Sequence, residues 1–147
     1  MPFSHLPPLL AEALTARGYT APTPVQAAVI EEEAAGRDLV VSAQTGSGKT
    51  VAFGLAMAPE LIGEDGTPPP GLPLALIIAP TRELALQVSR ELAWLYKAAN
   101  ARISTCVGGM DVSKERRSLA HGTHIVVGTP GRLRDHLERG ALDLSAL

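Results

Sequence analysis

The sequence predicts an α/β fold in which an open parallel sheet carries helices on both faces. Short apolar segments typical of buried strands alternate with longer segments whose apolar residues recur at helical spacing. Strands that alternate with helices form βαβ units, and such crossovers make neighbouring strands parallel. Aromatic residues make up only 3% of the chain, so Ala, Leu, Val and Ile must build the core, which suits a sheet covered by helices.

Length and composition indicate one globular domain. The chain has 147 residues, of which 46% are hydrophobic, enough to form a core. It contains no run of eighteen apolar residues and no secretory signal, so we expect a cytoplasmic protein without membrane contact. The single Cys106 excludes an intramolecular disulfide and the multi-cysteine zinc sites. A net charge of −2 gives no overall electrostatic signature of nucleic-acid binding.

Residues 1–36 are predicted to form a helical region ahead of the sheet. The segment LPPLLAEALTARG has apolar residues at helical spacing and ends on a glycine, which stops helices. A second helix is predicted over TPVQAAVIEEEAAG, with Thr23 as its N-cap and Gly36 at its end. Gln26 follows the cap by three residues, which is the spacing of a capping box.

Residues 37–147 are predicted to form the α/β core. Its strands, in chain order, are DLVVS, LALIIA, ARISTCV and THIVV. The helices between and after them are KTVAFGLAMAPELI, TRELALQVSRELAWLYKAA, VSKERRSLAHG and GRLRDHLERG. The Pro/Gly-rich residues 63–73 are predicted to be a loop rather than a domain boundary, because a strand follows them at once.

The stretch AQTGSGKT, residues 43–50, has the residue types of a phosphate-binding loop. Small residues let backbone N–H groups converge on an anion, Lys49 reaches the terminal phosphates, and the Thr50 hydroxyl binds Mg²⁺. A predicted strand before it and a helix after it give the context that this motif requires. The general motif begins with Gly, so the match is to a variant; the alternative is a turn that binds nothing. The loop consists of Ala43, Gln44, Thr45, Gly46, Ser47, Gly48, Lys49 and Thr50.

The turns that follow the four strands are predicted to lie along one edge of the sheet. They carry AQTGSGKT, PTRELA, GGM and TPGR, and ligands of open parallel sheets bind beyond the carboxyl ends of the strands. PTRE and TPGR each place an arginine at or near a helix start, which suits the binding of phosphates. One nucleotide needs one such loop. Four in a row indicate a second, longer ligand with several phosphates, and a nucleic-acid strand is the obvious candidate.

Together these residues resemble the DEAD-box ATP-dependent RNA helicases, in particular the first of their two RecA-like domains, a phosphate-loop NTPase fold. The resemblance covers nearly the whole chain. GYTAPTPVQ (18–26) resembles the Q motif of the family, AQTGSGKT motif I, in which Ala in the first position is usual, and PTRELA (80–85) motif Ia. Gly108 and Gly109 resemble the GG motif, and TPGR (129–132) resembles motif Ib.

The resemblance implies ATP and Mg²⁺ as cofactors and an ATPase activity in which Lys49 and Thr50 take part. Residues 43–50 would bind the phosphates, the Gln26 amide would bond the adenine edge, and Tyr19 would stack on the base. The alternative for Gln26 is the capping-box partner of Thr23.

The resemblance also implies that RNA binds through its sugar-phosphate backbone, without sequence readout. The alternative for Arg82 and Arg132 is a surface ion pair. The residues assigned to RNA are Pro80, Thr81, Arg82, Glu83, Gly108, Gly109, Thr129, Pro130, Gly131 and Arg132.

Hydrolysis at a phosphate loop also needs an acidic residue at the end of a strand, and none of the four strands provides one. They end in Ser42, Ala79, Val107 and Val127, and the chain ends about where the D-E-A-D sequence of the family would begin. We therefore expect part of a longer helicase, separated from its second RecA-like domain, that binds nucleotide without useful turnover. A truncated sheet is also expected to self-associate through its uncovered edge.

Three alternatives are open at this stage. Another phosphate-loop NTPase, such as a kinase or GTPase, would share GSGKT, although the guanine-reading N-K-x-D is absent from the sequence. A nucleotide-responsive RNA-binding module without catalysis would share every motif above. A metal hydrolase would have to be built on histidines, and surface or turn positions are the favoured interpretation for them. These are His5, His121, His124 and His136.

Overall fold

The structure is a computed structural model that describes residues 8–16, 54, 61, 69–97, 99–109 and 111–147. Several predicted features lie outside the described residues. They are His5, Tyr19, the second helix with Gln26, the strand DLVVS, the phosphate loop 43–50, and the helix KTVAFGLAMAPELI apart from Gly54 and Leu61.

The described sheet has three strands, and all of them are parallel. They are β1 (Ala75–Ile78), β2 (Ile103–Cys106) and β3 (Ile125–Gly128), in the spatial order β1-β3-β2. Ala75 and Ile103 both lie opposite Ile125, so the strands are in register at their amino ends. The three strands and their parallel pairing are as predicted; the order, which the pattern does not determine, places the last strand in the centre.

Four helices have bounds that the structure gives, and three of them each follow one strand. α1 spans Pro8–Ala16, α2 (Arg82–Leu95) follows β1, α3 (Val112–Ala120) follows β2, and α4 (Pro130–Glu138) follows β3. This strand–helix alternation confirms the predicted α/β class.

Helix α2 ends four residues earlier than the pattern predicts. Tyr96 is its C-cap, and the N–H groups of Ala99 and Asn100 bond to the carbonyls of Tyr96 and Lys97 instead of continuing the helix. Asn100 has φ 58°, a left-handed conformation that asparagine tolerates and that turns the chain toward β2. The apolar residues after Leu95 pack in this turn, so apolar spacing alone overestimates the helix.

The two faces of the sheet carry different helices, as predicted. Alternate residues of β3 point to opposite sides, with Ile125 and Val127 on one side and Val126 on the other. We call the first side the α2 face, where α1 and α2 pack, and the second the α4 face, where α3 and α4 pack. The buried core of the α2 face is Leu10, Leu14, Leu61, Ala79, Ala85, Val88, Leu92, Leu95, Tyr96, Ala99, Val107, Ile125 and Val127; that of the α4 face is Cys106, Leu119, Val126, Leu133 and Leu142.

Tyr96 connects the α2 face to Gly54, which follows the phosphate loop in the sequence. Its side chain is fully buried, and its hydroxyl donates to the carbonyl of Gly54, a helical residue. A Cβ on Gly54 would lie 2.5 Å from Leu95 Cδ2, so a larger residue there would force the Leu95 side chain to shift. Burial raises the pKa of the Tyr96 phenol, which keeps it a hydrogen-bond donor.

None of the helices in the described part of the chain has both the length and the apolar character needed to cross a membrane.

Candidate nucleic-acid interface

The carboxyl ends of the three strands lie level at one edge of the sheet. Ile78 and Cys106 both lie opposite Gly128. The ladder continues one residue further, because Ala79 N–H donates to the Gly128 carbonyl at 2.9 Å and Thr129 N–H donates to the Cys106 carbonyl at 3.0 Å. The turns that contain PTRE, GG and TPGR therefore begin side by side. This confirms their predicted common edge for the three turns that the structure describes.

The turn after β1 is fixed by a helix cap. The Thr81 Oγ1 accepts the N–H of Leu84 at 3.2 Å, and the Thr81 carbonyl accepts the N–H of Ala85 at 3.0 Å. A capped start places Arg82 and Glu83 in the first turn of α2, where the helix dipole favours anions. Pro80, Thr81, Arg82 and Glu83 are all exposed.

Arg82 reaches the turn after β2. Gly109 has φ +83°, and a Cβ placed on it would lie 2.8 Å from Arg82 Nη1. The guanidinium thus lies against the backbone of the second turn, and a side chain on Gly109 would displace it and strain the left-handed backbone. Gly108, its neighbour, is exposed, and a Cβ there would meet nothing within 4 Å. Two of the predicted segments, PTRE and GG, therefore form one continuous surface.

The turn after β3 begins α4 in a different way. Thr129 is the N-cap and Pro130 the first helical residue, but the Thr129 hydroxyl accepts no capping N–H among the described residues. The carbonyl of Thr129 does accept the N–H of Leu133, at 3.0 Å. The N–H of Gly131 is one of the first amides of the helix and has no intrahelical acceptor. A hydroxyl, an amide and the positive end of a helix dipole thus meet at the sheet edge, which suits an anion.

Arg132 has an acceptor inside the protein. Its Nη1 donates to Glu115 Oε1 at 3.0 Å, and the Arg132 and Glu115 side chains are 13% and 6% exposed. The ion pair that sequence analysis left open for Arg132 is present, although it is largely buried and not at the surface. For Arg82 the structure shows the contact with Gly109 described above.

Glu115 accepts two further hydrogen bonds. Its Oε2 accepts the N–H of Val107 at 3.1 Å, and its Oε1 accepts a bond from His136 Nε2 at 2.8 Å. A carboxylate only accepts, so His136 Nε2 carries the proton. The interpretation of His136 as a surface or turn residue is wrong: it lies in α4 with 1% of its surface exposed. Glu115 was not predicted, yet its position four residues before the buried Leu119 places a charge on the apolar stripe of α3, a signal that could have identified it.

Cys106 lies beside this network. Its Sγ, a Glu115 oxygen and a His136 nitrogen lie within 4.8 Å of one another. Burial, with a smaller contribution from the Glu115 carboxylate, raises the pKa of the Cys106 thiol to about 12, although Arg132 acts in the opposite direction. A thiol that keeps its proton is a weak metal ligand, and the guanidinium of Arg132 occupies Glu115 Oε1. The chemistry of the cluster fits an internal ion pair better than a metal centre.

The other two described histidines do not join this cluster. His121 is exposed and caps α3 at its carboxyl end. His124 is buried, and its Nδ1 accepts the N–H of Arg102 at 2.8 Å, which joins the start of β2 to the start of β3. Nothing in the described part of the chain brings these histidines together as metal ligands.

Residues 23–147 match the protein family described as DEAD/DEAH box helicase. The chain is 45% identical over 143 residues to the ATP-dependent RNA helicase DbpA of Escherichia coli strain K12, a match that covers 97% of this chain and 30% of the bacterial protein. It is 43% identical over 139 residues to the DEAD-box ATP-dependent RNA helicase 9 of Oryza sativa subsp. japonica, covering 94% of this chain and 22% of the rice protein. The chain thus spans less than a third of these relatives.

Solved structures show the same architecture. The RNA helicase Prp28 from Chaetomium thermophilum bound to ADP superposes with a TM-score of 0.83 at 38% identity, over 96% of this chain and 34% of that one. The yeast DEAD-box splicing factor Prp28 gives a TM-score of 0.82 at 32% identity, over 99% and 36% of the two chains.

Proposed function

Because the chain belongs to the DEAD/DEAH box helicase family, we propose that it forms the nucleotide-binding and RNA-binding part of an ATP-dependent RNA helicase. The observation that carries the RNA-binding half of this proposal is the row of three phosphate-compatible turns at one edge of the sheet. Strand separation is an activity of the larger protein, since the relatives are more than three times as long as this chain.

RNA binds across the three turns through its backbone. Arg82 supplies a positive charge, Thr129 a hydroxyl, and Gly131 an amide at the N-terminus of α4. The exposed Gly108 and Gly109 allow the RNA strand to approach the backbone of the second turn closely. None of these groups is placed to recognise a base in particular, so binding tolerates any sequence.

ATP binds at the phosphate loop of residues 43–50 together with Mg²⁺. Residues 43–50 hold the phosphates, with Lys49 on the terminal phosphates and Thr50 on Mg²⁺, while Gln26 and Tyr19 select adenine. The sequence motifs support this assignment, as does similarity to a structure described as bound to ADP. The second RecA-like domain of the larger protein closes over both ligands, and each ligand favours the closed state.

Without that second domain the chain is a nucleotide-responsive RNA-binding module that does not turn ATP over. Titration calorimetry with ADP and GDP in Mg²⁺ tests the nucleotide site, with Gln26→Ala as the matched variant. We expect ADP to bind more tightly than GDP and the preference to disappear in the variant. Equal binding of the two nucleotides by the unmodified chain would instead favour another phosphate-loop NTPase.

Fluorescence anisotropy with single-stranded RNAs of equal length and different sequence tests the RNA site. We expect similar affinities that fall as salt rises, and a weaker affinity for Arg82→Ala. Strong discrimination between sequences, or no binding at low salt, would reject the proposed RNA site.

The edge of β1 is a proposed site of self-association. Among the described strands β1 pairs with β3 alone, and Ile78 is 60% exposed. An exposed strand edge pairs readily with another chain. Light scattering should show association that increases with concentration, and a monomer at high concentration would reject this part of the proposal.

A further inference from the structure

Arg132 carries a charge that is paired with a carboxylate inside the protein. Its guanidinium bonds to Glu115 at 3.0 Å with 13% of its side chain exposed, whereas Arg82 is exposed at the same sheet edge. The two arginines thus differ in how far RNA can reach them from solvent.

Glu115 joins two of the turns through one carboxylate. Its Oε2 holds the N–H of Val107, the residue directly before the GG turn. Its Oε1 holds Arg132 and His136, which stand on the first and second turns of α4. Because both oxygens belong to one rigid group, the GG turn after β2 and the TPGR turn after β3 are fixed relative to each other.

We infer that Glu115 and Arg132 are positioning residues for RNA: the buried pair sets the spacing of the GG and TPGR turns, and Arg132 does not itself bind phosphate. The inference rests on the proposed RNA-binding function. Glu115 lies beneath the edge, so it acts through the turns.

The charge of the buried Glu115 favours a positioning role for Arg132 over a contact with an RNA phosphate. If Arg132 turned to a phosphate, Glu115 would stay buried at 6% exposure without its strongest partner, which is a costly state for a carboxylate. A guanidinium already paired with a carboxylate also releases few counterions when RNA arrives, and such release drives much of backbone binding. Arg82 and the N-terminus of α4 are exposed, so RNA can reach both of them.

The salt dependence of RNA affinity separates positioning from phosphate contact. For single-stranded RNA each phosphate contact contributes about 0.7 to the slope of log affinity against log salt concentration. We expect Arg82→Gln to reduce the slope by about that amount. Glu115→Gln should weaken binding by about twofold to thirtyfold and leave the slope unchanged, because it loosens the turns without removing a phosphate contact.

The opposite result has a clear signature. If Arg132 binds phosphate in competition with Glu115, then Glu115→Gln releases it, and RNA binds more tightly with a steeper slope. Glu138→Gln is the matched control, since it removes the same charge from the exposed end of α4 and reports the effect of net charge alone.

Arg132→Lys provides a second variant that keeps the positive charge. Lysine lacks the planar fork that bonds Glu115, so positioning predicts weaker RNA binding at unchanged slope. Affinity equal to that of the unmodified chain would overturn the inference, because a point charge would then suffice. Thermal unfolding of each variant sets a binding temperature at which all of them are folded.

Arginine side-chain NMR during RNA titration gives an independent readout. We expect the Nε–H resonance of Arg82 to shift and that of Arg132 to stay in place. A saturating shift of the Arg132 resonance with an unchanged Val107 amide would overturn the inference while the RNA-binding function stands. If the unmodified chain binds no RNA at low salt, the proposed function fails and the inference fails with it.

Discussion

The α2 face of the sheet is closed almost entirely by hydrocarbon, whereas the α4 face also buries an ion pair. On the α2 face thirteen buried side chains form one cluster that includes Leu92 and Tyr96. On the α4 face five buried apolar residues surround the Glu115 network. Both faces exclude water, but the buried ion pair of the second also fixes the GG and TPGR turns relative to each other. The difference indicates that one face mainly stabilises the fold and the other mainly shapes the binding edge.

Truncation of a buried side chain on the α2 face should have the largest effect on stability. Leu92 is fully buried in the cluster, so Leu92→Ala should lower the free energy of unfolding by about 3–5 kcal/mol, through lost burial and the cavity left behind. Denaturant unfolding measures this. Leu84→Ala, on the same helix but 40% exposed, is the control and should change stability by less than about 0.5 kcal/mol. Equal effects of the two changes would deny that the α2 face is the main source of stability.

Removal of the Glu115 charge from the α4 face should have the next largest effect on stability. Glu115→Ala leaves Arg132 and His136 without their shared acceptor and Val107 N–H without a partner. We expect a loss of about 3 kcal/mol, at the low end for a broken buried pair because Arg132 can turn toward water. Denaturant unfolding of Glu115→Ala beside Glu138→Ala measures it, since Glu138 is 62% exposed in a surface pair with Arg134. A loss below about 1 kcal/mol for Glu115→Ala would mean that the network is dispensable.

Hydrogen bonding within the α2 face can be tested separately from its packing. Tyr96→Phe keeps the ring and removes only the bond from the hydroxyl to the Gly54 carbonyl. The change removes one buried hydrogen bond, and we expect a loss of about 1.5 kcal/mol in thermal or denaturant unfolding. An unchanged stability would show that hydrocarbon contacts alone hold Gly54 against α2.

The sequence predicted the general architecture of both faces and missed particular features of each. Alternating strands and helices predicted the parallel sheet, both covered faces and the common edge, because these follow from short-range apolar patterns. The order β1-β3-β2 depends on contacts between distant segments, which such patterns do not contain. The early end of α2 depends on the left-handed Asn100. Glu115 went unnoticed because one charge on a helix looks like any solvated residue until Leu119 shows which side is buried.

The two threonine caps give the smallest expected change in stability and compare structure with binding at the edge itself. Thr81 bonds the N–H of Leu84, so Thr81→Ala should cost about 1 kcal/mol. Thr129 is the cap of α4 but makes no such bond with any described residue, and Thr129→Ala should cost less than about 0.5 kcal/mol.

RNA affinity should not follow the same order. If the Thr129 hydroxyl is kept for a phosphate, Thr129→Ala weakens RNA binding despite its small effect on stability, and Thr129→Ser restores the affinity. Denaturant unfolding and anisotropy on the same protein samples measure both quantities. A Thr129→Ala variant that is as destabilised as Thr81→Ala, with unchanged RNA affinity, would mean that the hydroxyl serves the helix after all. The division between a stabilising face and a binding edge would then not extend to the N-cap of α4.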